Sequence, residues 1–342
     1  MRGQAVAKDG SIIDDSDTAA LWLYDAYEDK FIEKIYENER YDVGGIAISS
    51  KTEKPAYIGY YGDKPEKVWI DKDLEQVYAS IEASFPNDQV RIGGWTENED
   101  KAIITAWSDT NPGEMYYYDR NKGKIAFIAK SRPWIDKNEM SPMLPISFKA
   151  RDGLTVNGYL TVPKNSDGKN LPLIINPHGG PASRDVWGYN PEHQFFASRG
   201  YAVLSMNFRG STGYGRSHVK MANGQWGRKM QDDVTDSVNW AVDQGIADKD
   251  NVCIYGASYG GYAVMAGITK TPKMYKCAVN YVGVTDMGLL FSKMPKVWEI
   301  WEEQQKIEIG DYDNDKDYLD AVSPINLVDR IETPLYIVHG VR

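Results

Sequence analysis

Val252-Cys-Ile-Tyr-Gly-Ala-Ser-Tyr-Gly-Gly-Tyr262 is the stretch that decides the reading of this chain. A short apolar run enters Gly256-Ala257-Ser258-Tyr259-Gly260, and a helix-forming segment follows from Tyr262 to Lys270. Strand, G-x-S-x-G and helix in that order form a nucleophile elbow, in which a serine is presented at a sharp turn. Backbone at such a turn is strained, and Gly256 and Gly260 lack the β-carbons that would clash there. The helix N-terminus offers free N–H groups and a positive dipole end where an oxyanion would develop.

Outward from the elbow, the pattern is alternating strands and helices. Leu171-Pro-Leu-Ile-Ile-Asn176, Tyr201-Ala-Val-Leu-Ser-Met206, Cys277-Ala-Val-Asn-Tyr281 and Pro334-Leu-Tyr-Ile-Val338 read as buried strands. Asp232 to Gln244 places Val234, Val238, Ala241 and Val242 on one helical face, with Gly245 as the stop. Near-continuous apolar strands between helices predict a mostly parallel sheet covered on both faces. Asn176-Pro-His178-Gly179-Gly180-Pro181 follows another of these strands. Its glycines let backbone approach a ligand, so this loop can supply a second oxyanion N–H beside that of Tyr259. His178 itself reads as the anchor of that loop.

Residues 20–135 are built differently. Short β-rich runs end in Asp at Trp22-Leu-Tyr-Asp25, Val68-Trp-Ile-Asp71 and Tyr116-Tyr-Tyr-Asp119, and no helical pattern of any length stands out. A second strand precedes each of the last two, at Pro55–Tyr60 and Ala102–Trp107. Multi-strand repeats of roughly 40–50 residues are the pattern of β-propeller blades, and this stretch holds two and part of a third. An ordinary antiparallel sheet is the competing reading. The Pro-bearing Ser141–Pro145 reads as a linker into a hairpin turning at Asp152-Gly153. We therefore expect a partial propeller with its linker over 1–145 and an α/β domain over 146–342.

Charge follows the same division. Up to Pro145 there are 27 acidic and 18 basic side chains, and from Ile146 onward 22 and 21, so the net −10 lies almost wholly in the first part. An acidic chain with no Lys/Arg cluster argues against nucleic acid as a partner. No apolar run approaches the ~20 residues of a membrane span, and no secretory leader is evident. A cytoplasmic location is the expectation. Cys253 and Cys277 each lie within an apolar run and read as buried thiols, not as a disulfide or a zinc site. No dinucleotide fingerprint, phosphate-binding loop or metal-ligand cluster occurs, so neither cofactor nor metal is expected. Asp311-Tyr-Asp-Asn-Asp-Lys-Asp317 lacks the Gly and Glu of a calcium loop, having Lys316 and Val322 there, and reads as solvated.

Five segments taken together carry a family likeness. Ser147-Phe-Lys-Ala-Arg-Asp-Gly153, His178-Gly-Gly-Pro181, Asn207-Phe-Arg-Gly-Ser-Thr-Gly-Tyr-Gly215, Gly256-Ala-Ser-Tyr-Gly-Gly-Tyr262 and Ser323-Pro-Ile-Asn326 resemble, in order, the prolyl oligopeptidase family of serine peptidases, most of all its acylaminoacyl-peptidase-like branch. The resemblance implies an α/β-hydrolase domain behind a β-propeller that restricts entry to small peptides. It implies Ser258 as nucleophile, Gly180 and Tyr259 as oxyanion donors, and a side-chain pocket around Val284. Met287 stands near the place where proline-preferring members carry an aromatic ring, which speaks against strict proline preference. Trp298 and Trp301 could supply apolar lining to that pocket, with core packing the preferred reading.

One departure is large. A serine nucleophile needs a histidine base oriented by a carboxylate. The family pattern puts that Asp two residues beyond a strand ending in His-Gly, with the His later still. Here the sequence reaches His339-Gly-Val-Arg342, so no residue matches either, and the resemblance implies a chain short of the pattern at both ends. None of His178, His193, His218 and His339 is expected to replace the base, and His218 reads as exposed. Arg209 reads as a structural ion-pair partner. The expected activity is serine-type hydrolysis of short peptides, with the 342 residues by themselves largely inactive. A carboxylesterase on the same fold and a non-catalytic binding protein are the alternatives.

Overall fold

A computed structural model of the chain describes residues 5–6 and 12–340. Its contacts divide the chain into two compact units, Met1–Met143 with Val186–Gln194, and Leu144–Asp185 with Phe195–Arg342.

The first unit is a series of separate antiparallel sheets. β1 (Ala5–Val6) pairs with β2 (Ile12–Asp14), and β3 (Leu21–Asp25) with β4 (Lys30–Tyr36). β5 (Val43–Ile48), β6 (Pro55–Tyr61) and β7 (Pro65–Trp69) form a three-stranded sheet in that order. β8 (Gln89–Trp95), β9 (Lys101–Trp107), β10 (Glu114–Asp119) and β11 (Lys124–Lys130) form a four-stranded meander. Between these two sheets runs a helix that the sequence reading missed, α1 (Lys72–Glu82). Asp71, read as a strand end, is instead its N-cap and accepts from the N–H groups of Asp73 at 2.9 Å and Leu74 at 3.1 Å. Leu74, Val77, Tyr78 and Ile81 are its buried stripe, and Val77 and Ile81 pack with Val90, Ala102, Ile104 and Tyr118.

The second unit is organised around one seven-stranded sheet. In chain order it contains β12 (Met143–Lys149), β13 (Thr155–Thr161), β14 (Leu171–Ile175), α2 (Pro191–Ala197), which the unit division splits, β15 (Ala202–Asn207), α3 (Arg216–Lys220) and α4 (Lys229–Asp243). There follow β16 (Ala247–Ala257), α5 (Tyr259–Lys270), β17 (Cys277–Tyr281), α6 (Met287–Ser292), α7 (Glu302–Glu308), α8 (Lys316–Val322) and β18 (Leu335–Val338). The strand order is β12-β13-β15-β14-β16-β17-β18, and every pairing from β15 to β18 is parallel. β13 runs antiparallel to β15. The expected turn joins β12 to β13, with Gly153 at φ +86°. Strand residues Leu173, Ile175, Leu204, Met206 and Ile254 form the core with Met230, Val234 and Val238 of α4 and Tyr262, Val264 and Ile268 of α5. At roughly 1.5–3 kcal/mol per fully buried large apolar side chain, this layer dominates the stability of the unit.

Three readings are corrected here. Cys253 and Cys277 form a disulfide, because β16 and β17 are parallel neighbours whose register sets these two residues opposite each other, with Cα atoms 4.7 Å apart. His218 is buried, not exposed; its Nε2 lies 3.3 Å from the Phe208 carbonyl. Trp298 and Trp301 are 40% and 51% exposed and stand outside the core.

Candidate active site

Ser258 occupies the junction between the end of β16 and the first residue of α5, at φ 57° and ψ −120°. A side chain other than glycine at positive φ is costly, on the order of 1–3 kcal/mol, and persists only where its surroundings enforce it. The enforcement is visible. The Ser258 N–H donates to the Tyr281 carbonyl on β17 at 3.0 Å, and the Ser258 carbonyl accepts from the Tyr262 N–H at 3.0 Å.

The elbow closes because three backbones come unusually near one another. A Cβ on Gly256 would lie 2.6 Å from the Gly260 carbonyl carbon and oxygen, and one on Gly260 would lie 2.3 Å from the Pro177 carbonyl oxygen. A Cβ on Gly179 would sit 3.5 Å from that of Ser258. The His-Gly-Gly-Pro loop is therefore in contact with the serine, as its position after β14 suggested. Tyr259 is the first residue of α5, where a backbone N–H has no partner within the helix. Its ring turns away from the turn into the core, against Trp226 at 4.6 Å and Phe208 at 5.3 Å between centroids. Burial pushes the Tyr259 and Tyr262 phenols well above their usual range, so both are neutral packing groups.

His178 anchors its loop. Nδ1 lies 2.7 Å from the Gly179 carbonyl oxygen, Nε2 lies 2.9 Å from Ser211 Oγ, and the ring stacks on Phe208 at 4.3 Å. His193 lies in the first unit, where burial lowers its pKa to about 4. His339 is exposed, with Nδ1 3.0 Å from the Gly340 carbonyl oxygen. Among the described residues no histidine is hydrogen-bonded to Ser258.

The Phe-Arg-Gly segment is held from beneath. Arg209 donates to Asp233 through Nε at 2.8 Å and Nη2 at 2.7 Å, and to Asp152 through Nη1 at 2.8 Å. Arg209 and Asp233 are 4% and 0% exposed, so the pair is a buried structural clamp. Its hydrogen bond holds the Asp152 carboxyl down at about 2. The turn after β12 and the loop after β15 are thereby tied to α4. Val284 is half-buried after β17, while Met287 is wholly buried and packs in the core.

A parallel sheet whose strand delivers a strained serine to a helix N-terminus defines an α/β hydrolase with a nucleophile elbow. The chain belongs to the prolyl oligopeptidase family, whose model matches residues 187–342. It is 37% identical over 333 residues to dipeptidyl aminopeptidase BIII of Pseudoxanthomonas mexicana, a match covering 94% of this chain and 48% of that protein. Its fold resembles a Pyrococcus horikoshii acylaminoacyl peptidase (TM-score 0.66, 21% identity, 88% of this chain and 46% of that one). It also resembles a puromycin hydrolase (TM-score 0.72, 19% identity, 98% and 52%). The chain thus spans about half the length of the proteins it matches. No described helix is long and apolar enough to cross a membrane.

Proposed function

We propose that Ser258 is the nucleophile of a serine peptidase acting on short peptides through an acyl-enzyme. The observation that carries this reading is the backbone of Ser258 itself, held at φ 57° between β16 and α5 with no compensating role in packing. Its Oγ attacks the carbonyl carbon of the scissile peptide bond and gives up its proton to a base. The oxyanion is met by the N–H groups of Tyr259 and Gly180. The C–N bond breaks, the amine leaves with a proton, and water then hydrolyses the Ser258 ester. Val284, with Met287 behind it, borders the pocket for the side chain at the cleaved bond. In the first unit, β5–β7 and β8–β11 are blades of a propeller that limits substrates to short peptides. The 37% identical relative, a dipeptidyl aminopeptidase by name, supports a short-peptide substrate.

We assign the base to none of the four histidines: His178 is bonded to the Gly179 carbonyl and Ser211 Oγ, His218 lies against the Phe208 carbonyl, and among the described residues no histidine is hydrogen-bonded to Ser258. The 342 residues alone should therefore turn over aminoacyl anilides very slowly while keeping a serine that a fluorophosphonate can reach. The test is prolonged labelling followed by peptide mapping. The adduct is expected on Ser258 and should vanish in Ser258→Ala; an adduct elsewhere, or turnover at ordinary peptidase rates, overturns the assignment. A longer form of the protein that cleaves acyl esters and not anilides would make it an esterase instead.

A further inference from the structure

Where β17 ends, the chain takes a turn that its own residue types resist. Asn280 and Tyr281 close the strand, Val282 follows at φ 47°, and Gly283 comes next. A β-branched side chain crowds the backbone at positive φ, so valine is among the residues least suited to that place. Core packing does not explain it, since Val282 is 39% exposed and stands outside the core.

Asn280 holds the turn. Its side chain is buried, and its Oδ1 accepts the Gly283 N–H at 2.9 Å, which closes the backbone around Val282. The same oxygen lies against the first turn of α5. A Cβ on Gly283 would come within 2.4 Å of it, and one on Gly261 within 2.6 Å of it and 2.7 Å of the Gly283 Cα. Asn280, Gly261 and Gly283 are therefore interlocked.

The turn matters for the peptide that it directs. The peptide joining Tyr281 to Val282 turns its carbonyl to the Ser258 N–H at 3.0 Å and its own N–H to the Val338 carbonyl of β18 at 2.8 Å. Tyr281 is the register partner of Ala257, so Ser258 and Val282, both at positive φ, follow one position later on neighbouring strands. One strained residue is thus held by a peptide whose far side is fixed by another.

We infer that Asn280 is a positioning residue for the nucleophile. By capturing the Gly283 N–H it keeps Val282 in the left-handed region, and so keeps the Tyr281 carbonyl on the Ser258 N–H. This role rests on the reading of Ser258 as nucleophile.

The test is the second-order rate of fluorophosphonate labelling of Ser258 in the full chain, with urea unfolding followed alongside. Asn280→Leu, similar in size but without the acceptor, should slow labelling about tenfold or more, as displacing a reacting group by about 1 Å does. Val282→Gly should label normally and unfold cooperatively, because glycine takes positive φ without strain. The deciding form is the double variant. With glycine at position 282 the turn no longer needs its clasp, so Asn280→Leu with Val282→Gly should recover most of the lost rate. A residue that served packing alone would give no such recovery. Unchanged labelling in Asn280→Leu, slow labelling in Val282→Gly, or a double variant as slow as Asn280→Leu would each overturn the inference. Should Asn280→Leu by itself not fold, a double variant that folds and labels normally supports the inference, and one that does not overturns it. Absence of any adduct on Ser258 in the unsubstituted chain would instead strike the reading of Ser258, and this role with it.

Discussion

β9 and β15 are strands of seven and six residues with opposite habits. In β9 the buried Ala102, Ile104 and Ala106 alternate with the more open Lys101, Ile103 and Thr105. In β15 all six residues from Ala202 to Asn207 are buried. A meander strand has one face on its core and one toward solvent, whereas a central strand of a largely parallel sheet is covered on both. The first unit therefore divides its stability among small sheets, and the second concentrates it in one layer. A single substitution should consequently mean different things in the two places.

The hardest test of that concentration is Arg209→Met. It leaves Asp233 buried without its partner, and the cost of such a change is about 3–5 kcal/mol. Urea unfolding followed by tryptophan fluorescence should show it; a loss under about 1 kcal/mol would mean the second unit tolerates an orphaned charge. Next comes Leu204→Ala at the centre of β15, expected to cost about 3 kcal/mol within the usual 2–5. Reducing Cys253–Cys277, or replacing both with serine, should cost about 3 kcal/mol for a loop with a sequence separation of 24, measured in the same titration.

A smaller effect is pH-dependent. The folded carboxyl of Asp152 titrates at about 2, below its ordinary 3.8. Arg209 pairs with it at 2.8 Å and Lys229 Nζ stands 3.7 Å away. The ion pairs therefore contribute fully above about pH 4, and their contribution drains away as pH falls toward 2. In Asp152→Asn the fall of the urea midpoint over that window should be shallower; an unchanged slope would remove Asp152 from the account. Smallest of all, Ile103→Ala on the open face of β9 should shift stability by no more than about 0.5 kcal/mol. A loss matching that of Leu204→Ala would erase the distinction between the two strands.

What could be read from the chain follows the same divide between local and distant causes. The elbow was legible because strand, glycine spacing and helix lie within about a dozen consecutive residues, and each enforces the others. The parallel sheet was legible because double-sided burial leaves unbroken apolar runs such as Val203-Leu-Ser-Met206. Helix α1 was also written plainly, with Asp71 as cap and Leu74, Val77, Tyr78 and Ile81 at helical spacing. The strand residues Val68-Trp69 directly ahead of it mask the cap, because Asp71 fits the end of that strand as well as the start of a helix. The disulfide could not be read, since nothing near Cys253 reveals that β17 is its neighbour in register. The return of Val186–Gln194 to the first unit is of the same kind: Trp187 donates to the Met143 carbonyl at 3.0 Å from 44 residues away.

The bond between Cys253 and Cys277 has a topological consequence. Ser258 and the whole of α5 lie inside the ring it closes. A single proteolytic cut anywhere in that ring opens it without parting the polypeptide. The nicked product would still run as one band until reductant separated it into a fragment ahead of the cut and one behind.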